Sequence, residues 1–595
     1  MGVDVGISEG TRAISAPASA VVARISVTSA GAANAVLELD PGQDQQLPGL
    51  AGYGPGVDAT QRALTITGRR SILVKAAGSV DGTLSAVTKV GDGPTVTAAL
   101  EAGVDSPFDS FTIRAKVTKK GANGIAQVRI ALNGYTYGPT LDIPALLPAA
   151  LTGTVDLSSA ASAALFGDSG TLDGTTVIVG GTTVTLDTPD TPADLVAQLV
   201  AGGLHAKLIA GKYLQLYSAS TGSGATLDVG AGTANTLVGF AANPAAVAGV
   251  DSVVSVPKTG VKLTFSSGTY VLGTTYTATT TPARMTLDDL DAALDALRAS
   301  GVRFGIVHVV QDPVDAADAL EFAQALDAKL DAWHNAASDR IFPVWAMGGP
   351  LGSTSTDYSG DAATDLDVRQ TFAGYTSLYC VAPAHGDMYC TSAEYGGAMR
   401  RSLAWPLVET LASIRYSADP GSGMIPNPKL PGCSAIGPDG ATKIRDELFA
   451  VHKMEEVGFT VATRQANAPK IKAGMTLAGS TSKFRFPGVL RMAYAAAEIA
   501  YQRALVYENG DLPLETNGAL RETIAASIDT AFDADFKRLL VDPGHCSAAK
   551  TTIDRSKRAA DDGVYPLTPM WTVQMNGQIR DVSGVVSVVS QLSIS

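Results

Sequence analysis

The spacing of hydrophobic positions changes along this chain, and each change marks a boundary. Short apolar runs at 21–27 and 71–74, set among Gly-rich loops, predict strands. From Phe111 the pattern is strict alternation: Phe111, Ile113, Ala115 and Val117 share one face, and a second strand follows the Gly121-Ala122-Asn123-Gly124 turn at 127–132. Matching strands come much later, at 261–265 and 270–277, separated by Ser266-Ser267-Gly268. The intervening 150–255 reads as a nested module. It predicts strands at 175–179 and 182–186 around a Gly180-Gly181 turn, a helix starting at Thr191-Pro192, and strands at 206–209 and 213–217.

At Met285 the period becomes helical. Thr286 and Asp289 form a capping box, Leu287, Leu290, Leu294 and Leu297 make one face, and Gly301 ends the helix. Strands at 302–310, 341–346 and 378–381 then alternate with helices at 316–336, 365–375 and 397–414, the last expected to bend at Pro406. Such alternation predicts βαβ units and a mainly parallel sheet. Two long helices, 488–507 and 517–540, precede the terminal strands.

Both ends of the chain are strand-like. Val3, Val5 and Ile7 alternate with Asp4, Gly6 and Ser8. At the other end Trp571, Val573 and Met575 alternate up to Asn576-Gly577, and 585–594 carries Val585, Val586, Val588, Val589, Leu592 and Ile594 without a charge between Val582 and Ser595. Residues 570–595 show no partner of their own in the sequence. An uncovered strand of this kind aggregates, so the pattern predicts pairing with other subunits by strand addition, and hence a polymer.

Composition narrows the class. With 46% hydrophobic and only 17% charged residues, 62 Gly and 30 Pro, the chain is globular and turn-rich. A net charge of −13 with no basic cluster argues against nucleic acid, and the lack of a long apolar run argues against membrane insertion. Neither a signal peptide nor a myristoylation pattern is expected. Four cysteines are too few for a disulfide scaffold and fit a reducing compartment.

The parallel-sheet half carries the residues with most chemical potential, where its strands end. Cys380, His385, Asp387 and Cys390 could in principle bind zinc or supply a Cys–His nucleophile, but the spacing matches no zinc motif; buried cysteines and an ordinary loop histidine are the expectation. His545-Cys546 are adjacent, which rarely points two side chains at one substrate. His452, Glu455 and Glu456 read as a helix face, Gly348-Gly349-Pro350-Leu351-Gly352 as a loop, and Phe484, Phe486, Tyr494 and Tyr501 as packing. No catalytic, cofactor or metal site is expected.

Four segments resemble tail sheath proteins of contractile phage tails, in the divergent group that carries β insertions. They are 3–10 with 23–27 and 36–37; 119–130 with 259–265 and 268–270; 491–503 followed by 514–540; and 573–589. The stretch around 174–184 and 218–225 is similar to a small β-rich insert of flagellar filament and hook-associated proteins and some tail sheaths. The resemblance implies an α+β / α/β multidomain chain: a sheath-type α/β core, inserted β-rich domains, and extended N- and C-terminal β arms. Its boundaries would be an arm at 1–20, core at 21–110 and 283–569, a β insertion at 111–149 and 256–282, the nested module at 150–255, and an arm at 570–595. It further implies a homo-oligomer of stacked hexameric rings around a tail tube protein, with baseplate and tail terminator partners, assembled in a bacterial cytoplasm into a virion tail. Arm residues Val3, Val5, Ile7, Val585, Val586, Val588, Val589, Leu592 and Ile594 would form the inter-subunit strands. The alternatives are another tail or hook-like filament protein and, remotely, a cysteine-dependent hydrolase.

Overall fold

Val22–Val27, Ile306–Val309, Val344–Gly348 and Val381–His385 bury nearly every side chain, as strands covered on both faces must. The computed structural model describes residues 17–133, 137–335, 344–349, 362–377, 381–421, 433–436, 454–465, 468–507, 513–559, 565–575 and 592–594. The chain divides into two compact units, Met1–Asp81 with Pro282–Ser595, and Gly82–Thr281.

In the first unit an eight-stranded sheet runs in the order Val36–Leu39, Ser71–Ala76, Val22–Val27, Ile306–Val309, Val344–Gly348, Val381–His385, Thr460–Gln465, Ala468–Ala473. Its interior pairs are parallel and only the two outermost strands are antiparallel. Helices Pro55–Thr67, Leu287–Ala299, Ala316–Asn335 and Ala404–Ser413 pack on it. The Thr286 capping box forms as expected, with reciprocal bonds to Asp289.

Two expectations for this half need correction. His385 is not on a loop: it is the last residue of the strand Val381–His385 and is fully buried. Pro383 hides that strand in the sequence, because proline lacks the N–H a central strand uses. It is tolerated here because pairing with Thr460–Gln465 begins only at Ala384. The expected helix at 397–414 is a strand, Ala398–Ser402, followed by a shorter helix, Ala404–Ser413. Pro406 falls in that helix's first turn, where its missing N–H has no intrahelical acceptor to lose.

The second unit is mainly β, with one α-helix and the 3-10 helix Ala160–Leu165 among its described residues, and it begins earlier than expected, at Gly82 rather than near Phe111. Thr83–Leu84 and Thr88–Val90 pair with Thr275–Thr281, and Val96–Leu100 pairs with Val261–Phe265, so long-range pairing claims residues 82–110. The strands at 261–265 and 275–281 consequently join different sheets. Phe265, Tyr270 and Tyr276 meet edge to face at 5.5 to 6.4 Å, and the buried hydroxyls of Tyr270 and Tyr276 donate to the Ser266 and Pro94 carbonyls.

Within this unit the nested module has a core of its own, with Leu172, Val177, Leu195, Leu199, Leu214 and Leu216 all buried. Its hairpin, Thr176–Val179 with Thr182–Thr185, turns at two glycines of positive φ, and Thr191 caps the helix Pro192–Ala201. Its two ends meet where Leu147 and Val250 exchange both backbone hydrogen bonds at 3.0 Å.

Candidate functional site

Near the C-terminus, Ala548–Ile553 and Pro569–Gln574 form an antiparallel pair, and Leu592–Ile594 adds to the free side of Pro569–Gln574, pairing Trp571 with Ile594 and Val573 with Leu592. Residues 570–575 are thus not without a partner: they pair in their own chain, and Val573 and Met575 are buried against helices Pro487–Leu505 and Glu522–Phe536. The sequence could not reveal this, because alternation identifies a strand but not its neighbour.

The two edges of this small sheet differ. On the outer edge of Ala548–Ile553 the N–H groups of Thr551 and Ile553 donate to the carboxylates of Asp533 and Asp529, each at 2.7 Å. Those side chains close the edge to another strand, as edge protection requires. The opposite edge, along Pro569–Gln574, is where the terminal strand lies.

The beginning of the described chain is anchored on the same cluster. Ala20 packs within it, the Ala18 N–H donates to Glu498 at 2.7 Å, and the Tyr416 hydroxyl donates to the Pro17 carbonyl at 3.4 Å. Burial raises the Glu498 carboxyl pKa, and Arg303 opposes the shift by pairing with it. Tyr416 in turn stacks on His545 at 3.9 Å, and Arg491 lies over the tyrosine ring. Residues 17–20 and 573–575 therefore meet at one hydrophobic cluster.

Of the residues singled out for inter-subunit pairing, Leu592 and Ile594 lie in the terminal strand just described. Val3, Val5, Ile7, Val585, Val586, Val588 and Val589 lie outside the described residues, as does Cys380 of the candidate cysteine loop. His385 packs edge-on against Phe459, whereas the Cys390 sulfur lies 3.1 Å from that of Cys433, a pairing that no local pattern in the sequence signals. His545 is tied to Tyr416, whose N–H donates to its Nδ1 at 3.1 Å, and Cys546 is buried in the same cluster. Among the described residues no group of three or more His, Cys, Asp or Glu is placed to hold a metal ion, and no helix is long and apolar enough to cross a membrane.

The sequence also gave no sign of the buried ion pairs between helix Pro55–Thr67 and the later part of the chain. Asp58 accepts from Arg401, the Ser392 hydroxyl and the Ala393 N–H at 2.9 Å each. Beside them Arg24 is wholly buried, donates to the Ser71 hydroxyl, and is pushed down to about 10 by desolvation. Its neighbour His308 is held well below the usual imidazole range by burial and by that charge. These groups tie segments together; each carboxylate facing an arginine is occupied by it.

No protein-family model and no curated protein matches this chain. Among solved structures it is similar to a sheath tail protein of Listeria innocua, at 12% identity over 93% of this chain and 90% of that one, with a TM-score of 0.39. A sheath tail protein of Desulfitobacterium hafniense compares at 12% identity, 97% and 96% coverage, and a TM-score of 0.38. A chain of the anti-feeding prophage baseplate compares at 14% identity, 53% and 76% coverage, and a TM-score of 0.32.

Proposed function

We propose that this chain is a structural sheath subunit of a contractile phage tail or a related injection system. It polymerises as stacked hexameric rings around a tail tube and drives that tube by contraction. The carrying observation is the small C-terminal sheet, with one edge closed by Asp529 and Asp533 and the other extended by the strand Leu592–Ile594. A sheet edge that takes a strand from the chain's own end offers the same backbone groups to the equivalent strand of a neighbour. Residues 575–591, at about 3.3 Å each, reach roughly 55 Å if extended, far enough to cross to an adjacent subunit. The meeting of residues 17–20 and 573–575 at one cluster supports the same reading, since arms rooted there would link neighbours while the cores rotate.

On this reading the work comes from relaxation of a metastable extended lattice, and no catalytic group or cofactor takes part. Baseplate and terminator proteins would cap the tube, and the assembled particle would be a virion tail or its phage-derived equivalent. Negative-stain images of the purified protein test the proposal: tubes with a wide lumen are expected, and discrete particles or thin featureless filaments at every concentration would sink it.

A further inference from the structure

We propose that Cys390 and Cys433 form a cross-linking site, converted to a disulfide when the folded chain meets a low-molecular-weight disulfide oxidant. Both are free thiols in this structure. Asp387–Thr391 is the middle strand of a three-stranded antiparallel sheet, between Ala398–Ser402 and Cys433–Ile436. Met388 pairs with Ile436 and Tyr389 with Ala435, and the register then shifts so that Cys390 faces Cys433 rather than Ser434. The irregularity sets the two cysteines directly opposite each other.

Directly opposed residues of antiparallel strands have Cα atoms about 4.5 to 5.5 Å apart, inside the window of about 4.4 to 6.8 Å that a disulfide spans. The sulfurs are already 3.1 Å apart, so side-chain rotation closes the bond without moving the strands. Cys390 is 1% exposed, whereas Cys433 is only partly buried, which makes Cys433 the thiol an oxidant reaches first. Contact with Cys390 and burial hold the Cys433 thiol well above its ordinary range, and the Arg62 guanidinium, with Nη2 3.7 Å from the sulfur, opposes them only in part. The third described cysteine, Cys546, belongs to a different cluster and has no thiol beside it there.

The chemistry is thiol–disulfide exchange. The Cys433 thiolate attacks one sulfur of the oxidant; the oxidant's S–S bond breaks, and its other half leaves and takes up a proton. Cys390, giving its proton to solvent, attacks the Cys433 sulfur of the mixed disulfide, and the second half leaves as a thiol. Two protein thiols are oxidised and one small disulfide is reduced to two thiols. The product joins Cys433–Ile436 to the middle strand and closes a loop over residues 391–432. The site is independent of the sheath reading and stands or falls separately from it.

Incubation of the intact folded protein with oxidised glutathione, followed by alkylation under denaturing conditions and peptide mapping, tests the site. The expected result is loss of two of the four thiols, one reducible peptide linking Cys390 to Cys433, and Cys546 alkylated. Cys433→Ser abolishes the link and leaves Cys390 alkylated; should that variant fail to fold, the wild-type map still decides. Three results overturn the proposal: both thiols still alkylated when a denatured control has oxidised, a stable glutathione adduct on Cys433 without the link, or Cys390 joined to Cys380.

Discussion

Arg62 and Glu409 are 347 residues apart in sequence and 2.8 Å apart in space, with side chains 3% and 1% exposed. The contact is two-pronged, Nε to one carboxylate oxygen and Nη2 to the other, and Arg62 also donates to the Thr391 carbonyl. It joins the helix Pro55–Thr67 to the helix Ala404–Ser413, on either side of the whole second unit in chain order. Removing one partner strands the other charge. Arg62→Ala should therefore cost about 3 to 5 kcal/mol. Replacing both, Arg62→Met with Glu409→Leu, should cost less than the single change. Urea unfolding of Arg62→Ala and of the double variant checks this; a double variant at least as unstable as Arg62→Ala would refute it.

His545 makes stability depend on pH. Desolvation, aided by the nearby charges of Arg491, Arg415 and Arg69, pushes its imidazole down to about 4. The unfolded chain, with an ordinary value near 6.5, binds a proton between those limits that the folded chain does not. The contribution is thus fully present above pH 6.5 and lost as pH falls toward 4. The site is partly open to solvent, which discounts the loss to the order of 2 kcal/mol. His545→Gln keeps an acceptor for the Tyr416 N–H and removes the titration. Melting temperatures from pH 7 to 4 should fall more steeply for the natural chain than for the variant; parallel curves would show the group is not buried as described.

Truncations separate the arm from the core. Deleting 582–595 removes the terminal strand but keeps Val573 and Met575 in their cluster, so the chain should stay folded and fail to polymerise. Deleting 569–595 also removes those buried side chains, at about 1.5 to 3 kcal/mol each, and exposes the partner strand. That product should be destabilised or insoluble. Circular dichroism and sedimentation of the two give the answer, and tubes formed by the shorter deletion would rule out strand addition by this segment.

The nested module should be separable. Its ends are pinned by the Leu147–Val250 backbone pair, so a short Gly/Ser turn replacing 148–249 spans two residues that already touch. The rest of the chain should fold and still give tubes, and 148–249 alone should unfold cooperatively on its own core. Loss of folding in the shortened chain would show that the module supports the β unit beneath it. On the sheath reading the tubes keep their lumen and lose outer diameter.

Local signals in this sequence were sufficient wherever a few neighbouring residues decide the outcome. The Thr286 box, the Thr191-Pro192 helix start and the Gly180-Gly181 turn were legible because capping and positive φ act within one turn of chain. The βαβ alternation likewise implied the mainly parallel sheet. What failed was anything set by contact across the chain. Residues 82–110 were assigned to the wrong body because their partners lie beyond 260. His385 was hidden behind Pro383, whose place in a central strand depends on where Thr460–Gln465 begins to pair. The partner of Cys390, the ion pair of Arg62, and the partners of the strand at 569–574 came only with the tertiary structure. Local conformation is written in short-range sterics and hydrogen bonding, whereas the choice among many possible partners for a strand or a charge belongs to the packing of the whole chain.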